Sequence, residues 1–119
     1  MEEPRNPQKG EIWYRHAHVE TADWESLPKN ATLRVMITDA QGSWQSKAWP
    51  TTKELFLKYF FVVGDALWEQ RALVQEVSQD QGTCWVTYLN KEGNPMQAKE
   101  ESKPFNLKRF CIDFQKEQN

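Results

Sequence analysis

Apolar and polar residues alternate with a period of two over much of this chain, the pattern of strands that turn one face inward. The longest such stretch covers residues 66–96. Its two runs, Leu67-Trp68-Glu69-Gln70-Arg71-Ala72-Leu73-Val74-Gln75-Glu76-Val77 and Thr83-Cys84-Trp85-Val86-Thr87-Tyr88-Leu89, flank a polar tip at residues 78–82. A second Gly/Asn cluster follows at residues 90–94, before Pro95 and Met96. β-branched and aromatic runs bounded by Gly, Asn and Asp predict a meander of strands. Leu73 and Val77 point one way, and Trp68, Ala72 and Val74 the other. The first strand is therefore expected to be long and bent.

The same period organises the remainder. After Gly10, Ile12, Tyr14, His16 and His18 share one face of a strand, with Trp13, Arg15, Ala17 and Val19 on the other. Residues 21–31 lack a sustained period and read as a loop with one helical turn around Trp24. Residues 32–38 turn Leu33, Val35 and Ile37 inward, and Asp39-Ala40-Gln41-Gly42 leads into a hairpin arm that Pro50 stops. Thr51, three residues before Glu54, forms a capping box and predicts a short helix with Leu55, Phe56, Tyr59 and Phe60 on one stripe. It should end near residues 61–64, where Phe61-Val62-Val63 suits extended structure. Residues 96–103 are expected as a polar edge strand. Leu107, Phe110, Cys111, Ile112 and Phe114 then complete the core as a short turn and a last strand.

The fold expected is mainly β: a small, strongly bent antiparallel barrel of about six or seven strands with one short helix. A single domain at residues 10–114 lies between polar tails at 1–9 and 115–119.

The strand pattern occurs twice. Ile12-Trp13 through Ala17 to Val19 lines up with Leu67-Trp68 through Ala72 to Val74, and the run from Val35 to Gly42 with that from Val86 to Gly93, Asp39 and Asn90 opening the two turns. The two registers differ by a few residues, so an insertion separates them. Internal duplication and the shared chemistry of any two strand-and-turn units in a Trp-rich chain both account for this.

Composition narrows the function. The chain of 119 residues is 39% hydrophobic and 27% charged, with six Trp, six Phe and three Tyr, enough aromatic area for a compact core. A formal net charge of −2 argues against a broad basic surface for duplex nucleic acid. No run is long enough to span a bilayer, and the N-terminal residues carry no apolar leader, so a cytoplasmic setting is expected. Cys84 and Cys111 each lie in an apolar run and read as buried thiols, with their pairing left open.

Arg71-Ala72-Leu73-Val74, the Asp80-Gln81-Gly82 turn, the run from Trp85 to Asn90 and Gly93-Asn94 resemble a Tudor-type or wider SH3-like small barrel, which has Trp-aromatic-Arg-Ala-x-Val, a turn, and a strand ending in Asp-Tyr-Gly-Asn. The resemblance implies a binding module. The chain departs from the family at Glu69 and at Lys91-Glu92, where the family's aromatics build a cage for methylated side chains.

Catalytic signatures are sparse. Gly10, His16-x-His18 and Asp23 resemble the first half of the cupin metal motif, with Asp23 where that family has Glu. Two His at i and i+2 share a strand face, and with a carboxylate they suit Zn or Fe. No third His follows. Neither Cys has a positioned base, and the five Gly are scattered among turns. The function expected is therefore non-enzymatic: recognition of a protein or peptide by aromatic strand faces and their turns, with no cofactor. The ligand-binding candidates are Trp13, Arg15, Trp44, Trp68, Arg71, Trp85, Tyr88 and Asn90. Homodimerisation through the same surface is a corollary. The alternatives are single-stranded nucleic acid stacked on the aromatics, and a metal-dependent enzyme using His16, His18 and Asp23.

Overall fold

Two strands form the hinge of the sheet in the computed structural model, which describes residues 7–96 and 103–117. The first, β1 (Ile12–Val19), and the long strand of the central meander, designated β5 (Leu67–Ser78), run antiparallel side by side. The other elements are β2 (Thr32–Ile37), β3 (Trp49–Thr52), α1 (Lys53–Tyr59), β4 (Phe61–Gly64), β6 (Thr83–Leu89), β7 (Lys103–Asn106), α2 (Leu107–Asp113) and β8 (Gln115–Lys116). The sheet runs β3-β2-β1-β5-β6-β7, with β4 added to β5 and β8 added to β1. It is antiparallel throughout and strongly curled, a half-barrel with a helix in each half.

The strand-and-turn repeat of the sequence is a repeat of structure, extending well beyond the residues that first show it. β1, β2, β3, α1 and β4 recur in order as β5, β6, β7, α2 and β8. In the central register Trp13 faces Ala72 and Trp68 faces Ala17, so each half sets its Trp against the other half's Ala. Pro50 lies opposite Arg34 as Pro104 lies opposite Trp85, both on edge strands where a missing N–H costs little. Lys53 N–H donates to Ala31 O at 2.9 Å, and Leu107 N–H to Gly82 O at 2.8 Å. Each turn is held by one side chain: Asp39 Oδ1 accepts from Gln41 and Ser43 N–H, Asn90 Oδ1 from Glu92 and Asn94 N–H. Gly42 and Gly93 close them at φ 80° and 87°, the left-handed region that favours glycine.

The helices match as closely. Thr52 Oγ1 accepts from Leu55 N–H and Asn106 Oδ1 from Arg109 N–H, each satisfying a first-turn donor. Phe56 and Phe60 stack at 4.7 Å between ring centroids, Phe110 and Phe114 at 4.5 Å. Each pair, four residues apart, anchors a seven-residue helix too short to persist unpacked. Two buried clusters result. Phe56 and Phe60 sit on Ala17, Leu33, Val35 and Ile37; Phe110 and Phe114 sit on Trp13, Ala72, Val74, Cys84 and Val86. Tyr59 touches both.

Several expectations change. Residues 107–113 form a second helix rather than a turn and strand, because Leu107, Phe110 and Phe114 follow a helical period and Asn106 caps it. The residues following Phe114 are not all loose tail, since Gln115 and Lys116 pair with Tyr14 and Trp13. The helix cap is Thr52, while Thr51 is buried in β3. Trp44 makes one bridge to Thr38, and the ladder with β2 resumes only at Trp49 and continues through Pro50. A bulge between Val74 and Glu76 turns Val77 to the same core as Val74. Residues 97–102 of the expected edge strand lie outside the described residues; β7 is the edge strand on that side.

Candidate functional site

Arg15 and Gln70 face each other in the register of β1 and β5, midway between the two Trp–Ala pairs. They occupy equivalent places in the two halves, so an approximate two-fold axis passes through this pair. Both point to the inward face, where alternation from Trp13 to Ala17 and from Trp68 to Ala72 calls for apolar side chains. Arg15 Nε–H donates to Gln70 Oε1 at 2.7 Å, and the guanidinium lies 4.5 Å from the centroid of the Phe114 ring. No described carboxylate forms an ion pair with it. Asp113 acts on it electrostatically but bonds Arg109 instead, at 3.2 Å.

A cavity of about 320 Å³ opens beside this pair, between the two clusters. Trp49 and Thr51 of β3, Leu55 and Tyr59 of α1, and Phe60 wall one side; Tyr88, Pro104 and Phe105 wall the other. Its lining is mainly apolar, with Arg15 and Gln70 as its polar floor. Arg15 is half-buried and lines this opening. Burial pushes the guanidinium below its ordinary value, with Tyr88 and Asp113 opposing that effect. It remains a cation. The Tyr88 hydroxyl is pushed well above its ordinary value by burial, against the pull of Arg15, and stays protonated as a donor.

The site candidates separate into groups. Arg15 and Tyr88 come together in the cavity wall. Trp13 is buried in the core against Phe110, and the half-buried Trp68 packs against the other cluster, between Trp24 and Phe56. Asn90 is a turn cap. Arg71 lies on the outward face, 2.6 Å from Glu69 and over the Phe61 ring. Trp44 and Trp85 are exposed and apart from the cavity.

No family model, curated protein or solved structure matches this chain. The site's own geometry carries the functional reading. His16 Nε2 lies 3.1 Å from Glu69 Oε1, on the outward face. His18 packs edge-on against Trp44, and Asp23 opens the 3₁₀ turn at Trp24–Ser26. Among the described residues no three or more His, Cys, Asp or Glu are grouped to hold a metal. Neither Cys84 nor Cys111 is in a disulfide. Burial pushes Cys84 up to about 11, with Cys111 adding to the effect, so it is no thiolate at neutral pH. No helix among the described residues is long and apolar enough to cross a membrane.

Trp49, Thr51, Leu55, Tyr59, Phe60, Gln70, Pro104 and Phe105 also line the cavity, and none was among the ligand-binding candidates of the sequence. One signal was available. Two central strands each carry a polar residue, Arg15 and Gln70, at an inward position flanked by Trp and Ala.

Proposed function

We propose that this protein is a non-enzymatic binding module that receives an apolar segment of a partner protein or peptide in the cavity between its two halves. The observation that carries this is the aromatic cavity over the deep Arg15–Gln70 pair. A mainly apolar recess with a few convergent polar groups is the usual form of a recognition site. The exposed Trp49 at its rim is a residue type that concentrates binding energy. Arg15 makes no ion pair, so a polar group of a ligand would replace water on it rather than displace a partner. The Tudor- or SH3-like affinity, the cytoplasmic setting and homodimer contact through exposed Trp44 and Trp85 belong to the same proposal.

Amide chemical-shift mapping against short peptides ending or centred on Phe, Leu or Trp tests it. Shifts clustering on Trp49, Thr51, Tyr59, Tyr88 and Phe105 are expected. Clustering on Trp44 or Trp85 would move the site to the outer surface, and no shift with any peptide would overturn the reading.

A further inference from the structure

We infer that the cavity recognises a carboxylate carried on an apolar residue, the C-terminal residue of a peptide, with Arg15 receiving the charge. The inference rests on the binding-module reading and names its ligand.

Three observations carry it. The first is a cation with no ion-paired partner. The Arg15 guanidinium uses Nε–H on Gln70 and lies over Phe114, and its four other N–H donors make no ion pair or hydrogen bond among the described residues. Asp113 acts on it only through space, so this partly buried charge gains by meeting an anion, and carboxylate matches the guanidinium fork in geometry as well as in sign.

The second is that the fold does not ask for this cation. Gln70 fills the equivalent position in the other half and keeps the same central register. Around the axis, the residues that build the backbone agree between the halves: Trp13 with Trp68, Ala17 with Ala72, Phe56 with Phe110, Phe60 with Phe114. Three places in the cavity disagree, Arg15 with Gln70, Thr51 with Phe105, and Tyr88 with Ile37, while Phe60 and Pro104 of its wall keep their counterparts Phe114 and Pro50. The symmetry is broken where a ligand would sit.

The third is size. About 320 Å³ holds one apolar side chain and its carboxylate but no length of folded chain. An internal Asp or Glu carries its charge on a short polar stem and would leave the walls of Trp49, Leu55, Tyr59, Phe60 and Phe105 uncovered. A C-terminal Phe, Leu or Trp brings charge and apolar body together.

The test uses the pentapeptides Gly-Ser-Gly-Ser-Phe, Gly-Ser-Gly-Ser-Leu and Gly-Ser-Gly-Ser-Trp, each with a free carboxylate and as the C-terminal amide, and N-acetylphenylalanine as a small acid. Binding is followed by chemical shifts of the Arg15 Nε–Hε group and of backbone amides. The acid form of at least one peptide is expected to bind about 10- to 100-fold more tightly than its amide, the range of a charge-assisted hydrogen bond. Arg15→Gln should erase that difference, and Arg15→Lys should keep part of it. Should Arg15→Gln not fold, the acid and amide forms on the natural protein still decide. Equal binding of the two forms overturns the carboxylate anchor and leaves the binding-module reading standing. N-acetylphenylalanine binding as tightly as the peptides overturns the peptide terminus as occupant. Silence of the Arg15 resonance and of all cavity amides with every probe overturns both readings.

Discussion

Residues 12–64 and 67–117 trace one sequence of elements twice, yet one connection and the outer flanks of the helices differ as well as the cavity residues. The connection between β1 and β2 is a loop at residues 20–31 whose Trp24 covers Phe56 and Trp68; the matching connection, between β5 and β6, is a tight turn at residues 79–82. The helices differ on the side flanking the Phe pairs. There α1 carries Leu55 and Tyr59 into the cavity wall, and α2 carries Arg109 and Asp113, which pair with each other. Agreement between the halves thus marks what the backbone needs, and the differences around the axis fall mostly on residues that line the cavity.

That comparison is open to measurement. The largest effect is expected from the Phe pairs: Phe56→Ala and Phe110→Ala should each lower unfolding stability by about 3–5 kcal/mol in urea denaturation. A cost in only one half would break the equivalence. The central pair should be lopsided. Gln70→Leu strands the Arg15 Nε–H and is expected to cost about 1–3 kcal/mol, whereas Arg15→Gln removes a cation from the interior and should cost less than about 1 kcal/mol. The helix caps should again agree, Thr52→Ala and Asn106→Ala each costing about 1 kcal/mol in Tm-derived stability.

The smallest effect sharpens the contrast between the added strands. Lys116 of β8 bonds Glu11 at 3.0 Å, and the equivalent places beside β4 hold Val62 and Ala66. Burial pushes the Glu11 carboxyl up, but Lys116, Gln8 N–H and Trp13 Nε1–H outweigh it and hold the group below its ordinary value. The native state then takes up this proton less readily than the unfolded chain. The contribution is present in full above the ordinary carboxylate range and fades as pH falls through the lowered native value. Lys116→Met should reduce this acid-range slope, with roughly 0.5 kcal/mol lost at neutral pH.

Much of this architecture is legible in the residues. Period-two alternation locates β1, β2, β5 and β6, the turn residues Asp39 and Asn90 place both connections, and the length and bend of β5 follow from apolar residues on both its faces. What local pattern does not carry is non-local or inverted by geometry. Nothing in 12–19 names 67–74 as its partner strand, because pairing across so long a separation depends on the whole fold. Val77 changes face because of one bulged residue. Phe110-Cys111-Ile112 reads as a strand by β-propensity, and tertiary packing of Phe110 and Phe114 overrides that. The repeat held the missing information. Carried on through Pro50 and Pro104, then Phe56-Phe60 and Phe110-Phe114, it would have named the second helix. The cavity was less legible, because its wall draws single residues from strands and helices of both halves.

The most direct test is exchange across the axis, by urea unfolding of Arg15→Gln, Gln70→Arg and the double exchange Arg15→Gln/Gln70→Arg. Gln70→Arg alone sets a second deep cation against the first and is expected to cost about 3 kcal/mol. In the exchanged protein the guanidinium faces Gln at position 15 with Phe60 available in place of Phe114, so stability should return to within about 1 kcal/mol of the natural chain. An exchanged protein no more stable than the two single changes added together would contradict a two-fold fold with Arg15 and Gln70 on its axis.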